Sequence, residues 1–204
     1  MISFCIDDLF MAGKLDSSEK TKEKINLNFN IQESGKGKKF IGVYYGLGRY
    51  AKGSYVKMTM EKDVKKLVKG FNNHTGSNIK VQKTPGATGT AVSKSDLEEP
   101  QDIDNYRSFV VHLMWYTTNV GPDVANASRE FSVNMSHTGT EHWNALGSLI
   151  GYLKGKETKI ILVRKPKVIK AVMFCDSNYA TDKETINSVI GIFDTLGGKL
   201  LTCS

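Results

Sequence analysis

The stretch Phe40-Ile41-Gly42-Val43-Tyr44-Tyr45, followed by Tyr55-Val56-Lys57-Met58-Thr59 and then Met60–Phe71, changes its hydrophobic period part-way along. Aromatic and β-branched residues over Phe40–Tyr45 predict a strand, because such side chains suit a pleated, half-buried surface. Tyr55–Thr59 is its candidate hairpin partner. From Met60 the apolar residues fall at Val64, Leu67, Val68 and Phe71, which is one stripe of a helix. Strand segments and helix segments side by side predict an α+β chain.

Towards the N-terminus, Phe4–Met11 reads as strand, turn and strand, with Asp7 and Asp8 at the turn. Two adjacent carboxylates are costly to bury unless they are paired or bind a cation. They therefore sit in solvent at a hairpin tip, where Asp is common, or they hold a metal; the residues leave both open. Asp16-Ser17-Ser18-Glu19 marks a helix start, with Ile25 and Phe29 expected on one face and Gly35-Lys36-Gly37 as the break.

Towards the C-terminus, Asn72–Pro100 carries Gly, Ser and Pro and few large apolar residues. It reads as a connector of a length unusual inside one compact domain, so a division is expected there. Asp104 is the expected cap of a helix over Tyr106–Thr118. Gly121-Pro122-Asp123 stops one helix and opens the next, with Pro122 in the tolerated first turn. Val124, Ala127, Phe131 and Met135 give that helix its apolar face. A third helix carries Trp143, Leu146, Leu149, Ile150 and Leu153 and ends at Gly155. From Lys159 the pattern turns to strands: Lys159–Val163, Lys170–Asp176, Ile186–Asp194, a turn at Gly197-Gly198, and Lys199–Cys203.

The 204 residues carry a net charge of +7, gathered in three clusters. Lys36, Lys38 and Lys39 belong to the first, Lys65 and Lys66 to the second, and Lys154 and Lys156 to the third. Such clusters suit a polyanion, nucleic acid first; a solvated lysine surface explains them too. No run reaches the roughly 18 apolar residues of a membrane helix, and no signal peptide is visible. Three scattered cysteines, Cys5, Cys175 and Cys203, fit a reducing compartment better than a disulfide frame. The expectation is an intracellular protein, cytoplasmic or nuclear, neither secreted nor membrane-bound. Among the histidines only His137 and His142 are close, and no cysteine lies near them, which argues against a His/Cys metal site. Ser136 and His112 lack a Gly-x-Ser-x-Gly context for hydrolysis, and Gly46-Leu47-Gly48 lacks the third glycine of a dinucleotide fingerprint.

Four segments, in order, resemble the polymerase region of copia-type retrotransposons. Cys5-Ile6-Asp7-Asp8-Leu9 resembles the Tyr-Val-Asp-Asp-Leu of their reverse transcriptase. Asn105-Tyr106-Arg107-Ser108-Phe109-Val110, with Trp115-Tyr116-Thr117-Thr118 and Pro122-Asp123-Val124, resembles the segment Tyr-Arg-Ser-Leu-Val-Gly … Tyr-Leu-Thr … Arg-Pro-Asp-Ile. His142-Trp143-Asn144-Ala145-Leu146 and Tyr152-Leu153-Lys154-Gly155 match His-Trp-x-Ala-Leu … Tyr-Leu-Lys-Gly. Phe174-Cys175-Asp176-Ser177-Asn178-Tyr179-Ala180 resembles the Tyr-Cys-Asp-Ala-Asp-Trp-Ala that opens the linked ribonuclease H domain.

The resemblance implies three parts: the end of a reverse-transcriptase palm with a thumb-like segment and connector over 1–95, a helical connection over 96–158, and the start of a ribonuclease H-like β-meander over 159–204. It makes Asp7 and Asp8 metal ligands at a palm hairpin, and Asp176 the first acid of ribonuclease H, with Mg²⁺ as the cation. Hard cations take carboxylate oxygens, and two of them stabilise both oxygens of an in-line displacement. The pattern is incomplete, however. Cys5 replaces a tyrosine, Gly121 an arginine, Asn178 an acid, and Ile186–Gly191 the family's Arg-Arg-Ser-Thr-Ser-Gly. A third palm carboxylate would precede the chain and further ribonuclease H acids would follow it. The expectation is a truncated chain, inactive alone, that retains affinity for RNA, DNA or their hybrid through the seven lysines above. Trp143, Tyr44 or Tyr45 are candidates to stack on bases, with core packing as their competing role. Three other readings stand beside it: part of an active polymerase–ribonuclease H polyprotein, a co-opted partner or inhibitor of related Pol chains, and a chain that folds incompletely.

Overall fold

The computed structural model describes residues 2–5, 8–11, 13–32, 38–51, 53–86, 102–164, 166, 168–178, 189–197 and 199–203. The architecture is mixed α and β. In chain order, β1 (Ile2–Cys5) and β2 (Asp8–Met11) form an antiparallel pair with Cys5 opposite Asp8. α1 (Leu15–Asn26) follows and buries no residue. The chain leaves the helix at Leu27, and the Asn26 Oδ1 accepts the Ile31 N–H at 3.2 Å. Phe29, expected on the helical face, is therefore outside the helix and exposed. The expected break at Gly35-Lys36-Gly37 lies outside the described residues.

The strand expected over Phe40–Tyr45 is divided. Ile41 and Gly42 take positive φ (45° and 80°), so β3 (Lys39–Phe40) turns back on β4 (Val43–Tyr50) with Phe40 opposite Val43. Gly42 fits such a turn because it has no Cβ to oppose the left-handed backbone. β4 then pairs with β5 (Gly53–Thr59), the expected hairpin. α2 (Glu61–Thr75) buries Val64, Leu67, Val68 and Phe71, the four residues of the predicted stripe.

α3 (Ile103–Asn119) starts two residues earlier than expected from a cap at Asp104. Asp102 is the cap: its carboxylate accepts the Asn105 N–H, while the Asp104 side chain is left in solvent. A 3₁₀ turn at Pro122–Val124 leads into α4 (Ala125–Val133), and α5 (Thr140–Lys154) ends at Gly155. β6 (Ile161–Arg164) closes a four-stranded antiparallel sheet in the order β3-β4-β5-β6. β7 (Ala171–Asn178), β8 (Val189–Leu196) and β9 (Lys199–Cys203) make a three-stranded antiparallel meander as a separate sheet, while the strand expected over Lys159–Val163 pairs with β5 in the larger sheet instead.

One hydrophobic core joins the helices to the larger sheet. It contains Tyr106, Val110 and Leu113 of α3 and Leu146, Leu149 and Ile150 of α5, with the buried stripe of α2 and with Val43 and Met60 from the sheet side. Each fully buried aliphatic side chain contributes about 1.5–3 kcal/mol. Tyr45, Met58 and Ile161 pack at the rim of this core, so one face of the sheet is covered by helices. The chain after α2 runs along α5: the Gln82 N–H donates to the Gly151 carbonyl at 3.2 Å. The Lys154 Nζ donates to Asn78 Oδ1 and the Ile79 carbonyl, both at 2.9 Å. Among the described residues no helix is long and apolar enough to cross a membrane.

Candidate functional site

Asp8 opens β2, opposite Cys5, so the strand–turn–strand reading of this stretch agrees with the pairing on either side of it. Asp7 lies outside the described residues. The hairpin meets the larger sheet through Phe10, whose ring is 5.4 Å from Phe40 and 6.3 Å from Tyr45. Asp176 stands exposed on β7, opposite Gly191. Asp194 of β8 pairs with Met173, one position out of phase, so it projects from the other face of that sheet. Among the described residues no three His, Cys, Asp or Glu side chains gather as a metal site would require.

The described lysines among the seven have different surroundings. Lys36 lies outside the described residues. Lys38 leads into the larger sheet, its carbonyl accepting the Tyr45 N–H at 2.9 Å. Lys65 is ion-paired with Glu61 at 2.7 Å, one helical turn away, which draws the Glu61 carboxyl below its usual range. Lys66 is exposed on α2 and Lys156 is exposed beyond α5, while Lys154 is spent holding Asn78 and Ile79. Lys39 sits with an aromatic partner, its Nζ 5.5 Å from the centre of the Tyr44 ring.

Antiparallel register decides the fate of the aromatic candidates. Tyr45 shares a face with Met58 and Ile161, towards the core, where burial raises its pKa. Tyr44 therefore projects from the opposite face, where it is half-buried. There it is joined by cations that the charge clusters contained but that were not singled out: Lys62 at 5.0 Å from its ring, and Arg164 at 5.1 Å from the Tyr50 ring. The signal was the alternation Tyr44, Gly46, Gly48, Tyr50, readable as one strand face once the strand is known to extend to Tyr50. Trp143 is committed elsewhere. It packs against Tyr106, Phe71 and Phe109 at 5.6–6.1 Å and stacks on His74 at 5.0 Å. His74 in turn lies 3.0 Å from Asp102, at the wall of an open pocket of about 440 Å³ between α2 and α5.

The motif residues of the helical region serve the fold. Tyr106 is fully buried. The Arg107 Nε donates to the Met135 carbonyl at 2.9 Å, tying α3 to the turn after α4. The His142 Nδ1 accepts the Gly139 N–H at 3.1 Å, closing the start of α5. Asp123 accepts from the Tyr152 hydroxyl at 2.7 Å and from the Lys159 Nζ, joining the 3₁₀ turn, the end of α5 and the approach to β6. Burial alone would raise the Asp123 pKa; the hydrogen bonds from Lys159 and Tyr152 outweigh it and leave it below its usual value. The same hydrogen bond pushes the Tyr152 pKa up to about 12. Gly121, where the resembling pattern has arginine, lies under the Tyr116 ring, and a Cβ there would be 2.0 Å from Tyr116 Cε1.

This order of motifs has a counterpart in known proteins. Retrovirus-related Pol polyproteins of plant transposons are similar to the chain, one along nearly its whole length and one along just over half of it. That from transposon TNT 1-94 of Nicotiana tabacum is 24% identical over 201 residues, 95% of this chain and 15% of the relative. That from transposon RE2 of Arabidopsis thaliana is 28% identical over 114 residues, 56% of this chain and 8% of the relative. The chain thus spans under a sixth of the length of either polyprotein. No protein-family model and no solved structure matches it.

Proposed function

We propose that the chain is a segment of a copia-type retrotransposon Pol polyprotein that binds nucleic acid and does not catalyse alone. In this reading 1–95 is the end of a reverse-transcriptase palm with a thumb-like segment and connector, 96–158 a helical connection, and 159–204 the start of a ribonuclease H-like domain. The observation that carries it is the similarity to a transposon Pol polyprotein over 95% of the chain. Mg²⁺, the cation of such sites, would find Asp8 at the start of β2, Asp7 preceding it in sequence, and Asp176 on β7. A hard cation wants several oxygen ligands, and Asp176 shares its strand pairs with Phe193, Gly191 and Val189 rather than with another acid. A second reading, association with related Pol chains, is favoured by apolar side chains exposed on both faces of the meander, Met173 and Ile190 on one and Phe174 on the other.

The test is binding of the purified chain to a labelled RNA–DNA hybrid across a salt series, with circular dichroism on the same sample and Mg²⁺-dependent extension of a primed template. A folded chain whose affinity falls steeply with salt, as counterion release demands, and which extends nothing, is the expected result. A folded chain with no salt-dependent binding overturns the nucleic-acid reading. Extension by the chain alone overturns its inactivity.

A further inference from the structure

The face of the β3-β4-β5-β6 sheet turned away from the core carries a run of tyrosines, glycines and cations. Register places Lys39, Tyr44 and Thr59 in one row, Gly46, Lys57 and Leu162 in the next, and Gly48, Tyr55 and Arg164 in the third, with Tyr50 and Gly53 at the end. None of these strand residues is acidic. Glu61, the acid at the start of α2 that feels Lys57 and Lys62, is ion-paired with Lys65.

The glycines shape this face. Tyr55 lies across the backbone of Gly48, where a Cβ would be 2.3 Å from its Cζ. The ring therefore fills the place of a side chain and keeps the sheet low at that row. Tyr44 stands between Lys39 and Lys62, and Tyr50 under Arg164. From Tyr44 to Tyr50 the strand rises ~20 Å, so the tyrosines form a row and not a cluster.

We propose that this face is a stacking platform for single-stranded nucleic acid, with Tyr44, Tyr50 and Tyr55 meeting bases and Lys39, Lys57, Lys62 and Arg164 meeting phosphates. The proposal rests on the nucleic-acid reading above and assigns it a surface and a strand state. Aromatic rings in a cationic, acid-free row match a flexible polyanion whose bases are free to stack. A duplex hides those base faces and offers only its backbone. The covered face of the same sheet cannot serve, because Tyr45 and Met58 pack at the core.

The experiment uses the full chain and labelled oligomers of about 12 nucleotides, within the range that sheet-based single-strand sites cover. The probes are oligo-dT, oligo-rU, an abasic strand with the same phosphates, and a duplex of equal length. Base-bearing single strands are expected to bind about tenfold or more tightly than the abasic strand. Tyr44→Ala and Tyr50→Ala are each expected to lose about tenfold on base-bearing strands and nothing on the abasic one, with the salt slope unchanged. Tyr44→Phe retains affinity, since the ring and not the hydroxyl stacks; Tyr50 is partly exposed, so its variant reports even if Tyr44→Ala folds poorly. Equal affinity for abasic and base-bearing strands, or preference for the duplex, overturns the platform and leaves the lysine reading intact. No binding to any probe overturns both.

Discussion

Gly147, Gly151 and Gly155 lie four residues apart on α5 and at its end, on the side where residues 79–82 pass. Their differing clearances make an internally controlled test. At Gly151 a Cβ would meet the Lys80 carbonyl oxygen at 2.4 Å and Gln82 Cγ at 3.1 Å. The first contact is with backbone, which cannot swing away as a side-chain end can. Overpacking of this kind costs typically 1–3 kcal/mol, and separating the strands of chain also forfeits the Gln82-to-Gly151 hydrogen bond, worth about 1 kcal/mol. Alanine recovers about 1 kcal/mol over glycine in a helix interior. Gly151→Ala is therefore expected to destabilise by about 1–3 kcal/mol. At Gly147 the nearest atoms, of Phe71 and Ile79, are 3.5–3.6 Å away, ordinary contact. Gly147→Ala keeps the helix gain and is expected to stabilise by about 0.5–1 kcal/mol. Urea unfolding of both variants measures the difference, and cleavage by trypsin at Lys80 reports whether the segment has lifted from α5. Equal stability of the two variants, or a more stable Gly151→Ala, would refute the packing of residues 79–82 on this helix.

The Asp123 cluster makes the chain acid-sensitive at a defined place. Its folded pKa lies below the unfolded value of about 3.9, so its contribution is present above that pH and is lost as pH falls through the folded value. Asp123→Asn should flatten the acid limb of a stability–pH profile followed by urea titration; an unchanged limb would rule out this linkage. The Tyr152 hydroxyl acts in the opposite sense: its contribution is complete below about pH 10 and is lost as pH rises through about 12. Gly121→Ala should cost about 3 kcal/mol, the upper end for overpacking, because the Tyr116 ring that a Cβ would strike is itself 2% exposed. A wild-type melting temperature for this variant would show that the ring has room to move.

Local periodicity carried much of this fold. Val64, Leu67, Val68 and Phe71 were legible as a buried stripe because four residues on one side of a helix announce their face without reference to anything distant. The third helix and its end at Gly155, the β4–β5 hairpin and the three-stranded meander were legible for the same reason. The motif order also pointed to Pol polyproteins before any fold was in hand. Other features follow from backbone geometry that residue type and period do not announce. That Ile41 and Gly42 turn rather than extend follows from β3 folding back on β4. That Asp102 and not Asp104 caps α3 follows from which carboxylate the first turn aims at its own N–H groups. Lysine clusters counted along the sequence dispersed in space: Lys154 and Lys65 found internal partners, while Lys39, Lys57, Lys62 and Arg164, drawn from all three charge clusters, gathered around one sheet face. Tyr44 and Tyr45 are adjacent and alike in sequence. Only the packing of helices against one face of the sheet turned the second towards the core and the first, half-buried beside Lys39 and Lys62, to the other face, because a strand alternates its side chains and the core chooses the side.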